Sequence, residues 1–182
     1  MESSLISEGV YYDRAAYAGF WVRLIVDVID ISVIMTISII STTLFMRVFS
    51  PSEQLIPILF LLWAGLWFIY FVLLKRSSFG TLGYKLCKIR IVNLSGDRPS
   101  IIALALRLIF AIIGPLNILL DLIWLSGDDN RQALRDKFAQ TYVVKKNTNP
   151  IGTGKIIYSD FDLWGWRMIF REVKRTDMPK IS

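Results

Sequence analysis

A chain of 182 residues is of single-domain length. It is 54% hydrophobic with a mean hydropathy of +0.49, and its apolar residues fall in long runs that a soluble domain would interrupt with polar positions. Histidine is absent and Cys87 is the single cysteine, which excludes an intrachain disulfide and removes both the commonest metal ligand and the commonest general base at neutral pH.

Residues 1–14 carry Glu2, Glu8 and Asp13 and no basic region ahead of a cleavable apolar core, so no removable signal peptide is expected. The first apolar run extends from Phe20 to Met46, with charges only near its start. After a loop holding Arg47 and Glu53, the second runs from Ile56 to Leu74 without a charge. Its 19 residues match a hydrocarbon core of about 30 Å at about 1.5 Å per residue, and soluble core helices rarely stay apolar on every face for so long. Trp63, Trp67 and Tyr70 form a helical stripe of the packing or interfacial-belt kind. The segment from Lys75 to Arg98 then carries Lys75, Arg76, Lys85, Lys88, Arg90 and Arg98 against Asp97 alone. The positive-inside bias predicts that this segment and the N-terminus are cytoplasmic, with the 47–55 loop outside. The net charge of +6 accordingly reads as topology and phospholipid contact before nucleic acid.

Within this basic segment Gly80 and Gly83 (FGTLGYKLCKIR) shape a turn. They do not form a phosphate loop, because the strand–helix context and the final Lys-Ser/Thr are missing. The third apolar run, Ile101 to Leu125, is interrupted by Arg107, Gly114-Pro115, Asn117 and Asp121. Basic residues lie on both sides of it, so both flanks favour the same face. The runs KIRIVNL (88–94) and TYVVK (141–145) are strand-like and can pair if they share that face. The spacing therefore predicts a broken helical hairpin, Ile101–Ile113 and Leu116–Leu125, re-entrant or packed on the other helices. The alternative is one kinked span. Residues 147–155 read as a linker. The stretch FDLWGWRMIFREVKR (161–175) predicts an amphipathic helix lying on lipid or docked on protein, although Gly165 weakens a helix. The expected fold is thus an all-α membrane protein: two transmembrane helices plus the hairpin or third span, a small cytoplasmic strand pair and a C-terminal amphipathic helix. Its parts are an arm (1–16), a membrane domain (17–146) and a linker with a Trp-rich tail (147–182).

Three charges stand inside the first run. Arg23, Asp27 and Asp30 are spaced i, i+4, i+7 and share one narrow wedge of a helix. Charges at membrane depth are costly, so this wedge is expected to face protein or water. Arg23 can pair with Asp27 one turn away, which leaves Asp30 unmatched and Arg107 as an available partner. Asp121 is a second buried-looking carboxylate. Two readings are open. In one, Asp27, Asp30 and Asp121 exchange protons or cations while Arg23 and Arg107 serve as counter-charges. In the other, these are permanent ion pairs that fix helix packing. Arg135 and Asp136, in RQALRDKFAQTYVVKK, are either a solvated face or anchors docked under the helices.

These blocks carry a family resemblance. AGFWVRLIVDVIDISVI, GTLGYKLCKIRIVNLSGDRPS with ALALRLI, and QALRDKFAQTYVV, together spanning Tyr17 to Lys145, resemble the RDD family of prokaryotic membrane proteins. That family is named for one arginine and two aspartates in its first helix, matched here by Arg23, Asp27 and Asp30. Members often carry a histidine where this chain has Arg135, so a histidine role does not carry over. The resemblance implies a multi-pass protein of the cell (inner) membrane. Some members are described as Na⁺/H⁺-type antiporters, and others look like accessory partners of larger assemblies. Two functions are therefore expected: a carrier, or a subunit of one, exchanging H⁺ for a monovalent cation, or a non-transporting accessory or regulatory subunit. Either would be surrounded by the lipid bilayer and work as a homo-oligomer or within a larger membrane complex. No nucleophile–base pair, metal cluster or cofactor loop is present in the sequence, so no enzyme activity, cofactor, metal or nucleic-acid partner is expected.

Overall fold

The computed structural model describes residues 8–49, 55–112, 125, 130–163 and 166–175. Helix α1 (Phe20–Val48) starts after Gly19 and runs 29 residues. Most of its hydroxyls are absorbed by its own backbone: Ser32 donates to the Val28 carbonyl at 2.8 Å, Thr36 to Ser32 at 2.8 Å and Thr43 to Ile39 at 2.9 Å. Such back-bonding hides polar groups that an apolar surround could not satisfy. One stripe, comprising Arg23, Val26, Asp30, Ile34 and Ser38, is buried within the chain, while most of the aliphatic residues on the other faces are exposed.

Helix α2 (Leu55–Phe68) has no buried residue and continues into a π-helical stretch, Ile69–Leu74, where Tyr70, Phe71 and Val72 turn inward. Pro57 falls in its first turn, where proline costs no helical hydrogen bond. Trp63 donates to the Thr42 hydroxyl at 3.0 Å and ties α2 to α1. Both long helices are apolar and long enough to cross a membrane, at 29 and 20 residues.

The remainder forms a second layer. After Gly80, whose φ of +66° suits glycine, come α3 (Leu82–Leu86), strand β2 (Ile89–Asn93), α4 (Ile101–Ile112), α5 (Leu134–Ala139) and β3 (Thr141–Lys145). β2 and β3 pair antiparallel with Ile91 opposite Val143, so the two strand-like runs do meet. Residues 113–124 lie outside those described. They include the proposed break at Gly114-Pro115, nearly all of the second hairpin arm and Asp121.

The chain is not all-α. Among the described residues there are five strands in two sheets. The expected C-terminal helix is instead a hairpin, β4 (Gly152–Leu163) with β5 (Trp166–Val173), and its register places Leu163 opposite Trp166. Thr, Ile, Tyr, Phe and Val favour a pleated surface, and this preference outweighs the apolar–basic mixture that suggested a helix. The second half of the expected linker is therefore strand. The arm is paired too: β1 (Glu8–Tyr11) lies antiparallel to β4, with Glu8 opposite Lys155, in a sheet ordered β1-β4-β5. Tyr12, Tyr17 and Tyr142 join the two sheets through edge-on ring contacts of 5.9 and 5.6 Å, within a core that also holds Val92, Val144 and Val173. Burial pushes the phenols of Tyr12 and Tyr17 above their usual range, so both stay neutral there.

The arm–tail sheet leaves no room at Gly154, where a Cβ would collide with the Lys174 carbonyl oxygen, a backbone atom that cannot swing aside. Gly154→Ala is expected to cost about 1–3 kcal/mol. It should open the hairpin to limited trypsin digestion at Lys155 and Arg171 while leaving the helical circular dichroism signal intact.

Candidate functional site

The side chains of the first-helix trio lead to three different destinations. Arg23, on the first turn of α1, donates from Nε to the Ala18 carbonyl at 2.9 Å, from Nη2 to the Arg131 carbonyl at 2.8 Å, and from Nη1 to Oδ2 of Asp136. The other carboxylate oxygen of Asp136 accepts from Nη1 of Arg107 on α4, and that nitrogen also reaches the Thr141 hydroxyl at 2.9 Å. Asp136 caps its own helix, taking the Ala133 N–H at 3.3 Å. One fully buried carboxylate thus holds α1, α4 and α5 together, with both guanidiniums themselves buried. Burial alone would raise the Asp136 pKa, but the positive charge of Arg107, then of Arg23 and Arg135, outweighs it and holds the carboxyl at about 2.

Asp27 pairs with Arg135 of α5 at 2.7 Å and keeps 29% of its side chain exposed. Both line a cavity of about 450 Å³ whose walls include Trp67, Phe71 and Leu104 and whose polar end adds Lys75 and Arg107.

Asp30 is fully buried and has no cationic partner among the described residues. Its Oδ1 accepts the Gly83 N–H at 2.8 Å and the Tyr70 hydroxyl at 3.1 Å, and its Oδ2 accepts the Thr81 hydroxyl at 2.6 Å. The π-helical stretch carries Tyr70 inward. Only glycine allows α3 this close to α1, because a Cβ at position 83 would lie 2.7 Å from the Val26 carbonyl oxygen and 2.8 Å from Asp30 itself.

Two expected pairings are therefore replaced. Arg23 joins Asp136 instead of Asp27, and Arg107 joins Asp136 instead of Asp30. An i,i+4 pair along one helix is worth only about 0.3–0.5 kcal/mol. Buried partners from other elements, reinforced by carbonyl acceptors, outcompete it. Arg135 and Asp136 both dock on the helices. Tyr70, Thr81, Gly83 and Thr141 belong to the site although the sequence pattern placed Tyr70 in an aromatic stripe and Gly83 in a turn. The clue available was the conjunction of a hydroxyl and a helix-breaking glycine at the foot of an uncharged run.

Against known proteins, the model of the RDD family matches residues 17–140. No curated protein and no solved structure matches the chain. The matched region contains every contact of Arg23, Asp27 and Asp30 described above, while the β1-β4-β5 sheet lies beyond it at both ends.

The two buried carboxylates should respond differently to neutralisation. In Asp136→Asn, the amide nitrogen would face a guanidinium, a donor-only group, leaving a buried charge unpaired. A loss of about 3–5 kcal/mol is expected, measured by thermal unfolding. In Asp30→Asn, the amide can donate to the Thr81 hydroxyl while its oxygen keeps Gly83, so the cost should be about 1–2 kcal/mol. A free aspartate has a pKa of about 3.9. The stabilisation by Asp136 is therefore complete above that pH and is lost as the pH falls toward about 2. The difference in unfolding midpoint between the wild-type chain and Asp136→Asn should shrink across that window.

Proposed function

The chain belongs to the RDD family, and on that premise we propose a protein embedded in a lipid bilayer through α1 and α2 that acts as a non-transporting accessory subunit of a larger membrane assembly. The supporting observation is the fate of the family's named charges. Arg23 has three acceptors and Asp30 three donors, and both are sealed from solvent. Groups so fully engaged fix a structure, and a transport cycle would have to break several buried contacts at each turnover. Two long helices also enclose little volume. The exposed flank of α2, with Phe60 and Leu61 outward, is suited to lipid or to a neighbouring helix.

One observation favours the other reading, exchange of H⁺ for a monovalent cation. Of the three charges, Asp27 is the one with access: it borders the cavity beside Arg135. A carboxylate whose arginine partner can move aside is the minimal exchanging pair. In that reading Asp27 carries the ion and Arg135 is the counter-charge, while Asp30 and Arg107 hold the frame.

Purification in mild detergent separates the two. The accessory reading expects a stoichiometric foreign subunit, and expects the isolated chain in liposomes to pass Na⁺ or H⁺ no faster than empty liposomes. A homo-oligomer that moves either ion, and stops doing so in Asp27→Asn with an unfolding midpoint near that of the wild-type chain, would establish exchange instead.

A further inference from the structure

A groove of about 400 Å³ opens where the second long helix ends. Six cations line it: Lys75, Arg76, Lys85, Arg90, Arg98 and Lys146. Asp97 is the one carboxylate among its lining residues. None of the six forms an ion pair among the described residues. Two are held by one edge on backbone carbonyls, Arg76 on Pro99 at 3.2 Å and Arg90 on Thr148 at 2.9 Å. The Lys75 ammonium rests 4.5 Å from the ring centre of Tyr84 and 5.2 Å from that of Phe71, which fixes it at the end of the helix.

A bias toward basic loops accounts for positive charge near a helix end. It does not require side chains from the helix exit, α3, β2, the following loop and the end of β3 to converge on one concavity. Like charges at close quarters repel, so a groove of this composition is stabilised by an anion with several acceptor oxygens. The surroundings indicate its source. Phe79 is 72% exposed, Leu82 46% and Leu86 62%, all within the same turn and short helix, so an apolar shoulder adjoins the basic groove.

We propose that this groove binds the phosphate headgroup of an anionic phospholipid, with the acyl chains lying along Phe79, Leu82 and Leu86. The site rests on the bilayer embedding proposed above. It deepens that reading by making the bilayer's anionic lipid a specific ligand of the chain.

The test uses the full chain in mild detergent, titrated with short-chain phosphatidylglycerol, with phosphatidylcholine of equal chain length, or with inorganic phosphate. Thermal unfolding and native mass spectrometry are the readouts. Phosphatidylglycerol should raise the unfolding midpoint and persist as a one-to-one adduct, and the other two should do neither. Lys85 and Arg98 are exposed and make no side-chain hydrogen bond among the described residues, so Lys85→Gln with Arg98→Gln should not lower the lipid-free midpoint and, by relieving repulsion among the groove's cations, should raise it if anything. Loss of two surface cations should weaken phosphatidylglycerol binding roughly thirtyfold. Equal binding of the two lipids, or full binding by the double variant, would overturn the site. An equal shift by inorganic phosphate alone would overturn its assignment to lipid. A chain that is monodisperse without detergent would remove the embedding itself, whereas one that needs detergent yet shows no lipid preference would sink only the groove.

Discussion

The arrangement depends on one carboxylate shared by two arginines. Asp136 has no exposed surface, and each of its oxygens takes a guanidinium from a different helix, Arg23 from α1 and Arg107 from α4. Removing a carboxylate from water costs several kcal/mol, recovered only when its acceptor sites are filled with good geometry. Here the geometry is supplied by elements far apart in the chain. The excess positive charge of two arginines on one aspartate is spread onto the Ala18 and Arg131 carbonyls and the Thr141 hydroxyl. Each participant makes sense only if the others are in place, which makes the cluster a lock between α1 and the layer beneath it.

Asp30 does the same work by different chemistry. Its partners are neutral donors, two of which come from the segment that reverses the chain after α2. The close approach that glycine allows at position 83 turns a hydrogen bond into a packing constraint, because the α3 backbone is held against the α1 backbone at the same point. α1 is therefore fastened at two heights, ionically near its start and by hydrogen bonds two turns further on. The pair between Asp27 and Arg135 lies between them, bordering a cavity, and has the looser surroundings.

The sequence was most legible where one physical requirement dominated. Uninterrupted apolar length identified α1 and α2, and β-branched residues beside turn signals identified β2 and β3 as strands able to pair if they share a face, as they do. The shared wedge of Arg23, Asp27 and Asp30 was read as facing protein or water; Arg23 and Asp30 are buried in protein, and Asp27 borders a cavity. Partner choice was not legible, because helical spacing exposes neighbours one turn away and is blind to a residue such as Asp136, 113 positions from Arg23. The tail was misread for a related reason. A window of tryptophan, phenylalanine and arginine is compatible with either an interfacial helix or a twisted hairpin. Beyond its residues' preference for a pleated surface, what the window could not show was the partner of β5, which runs back along β4 to Ile156, and β4 in turn pairs with β1.

That pairing has a bearing on biosynthesis. A strand beginning at Glu8 whose neighbour begins at Gly152 must wait for that distant segment to leave the ribosome before it finds its ladder. Contacts of such wide separation close late and slowly. β1 is thus made well before the strand it pairs with, and a chain truncated before the hairpin would leave the hydrogen-bonding edge of β1 bare. Closure of that sheet therefore reports that translation has passed the β4–β5 hairpin.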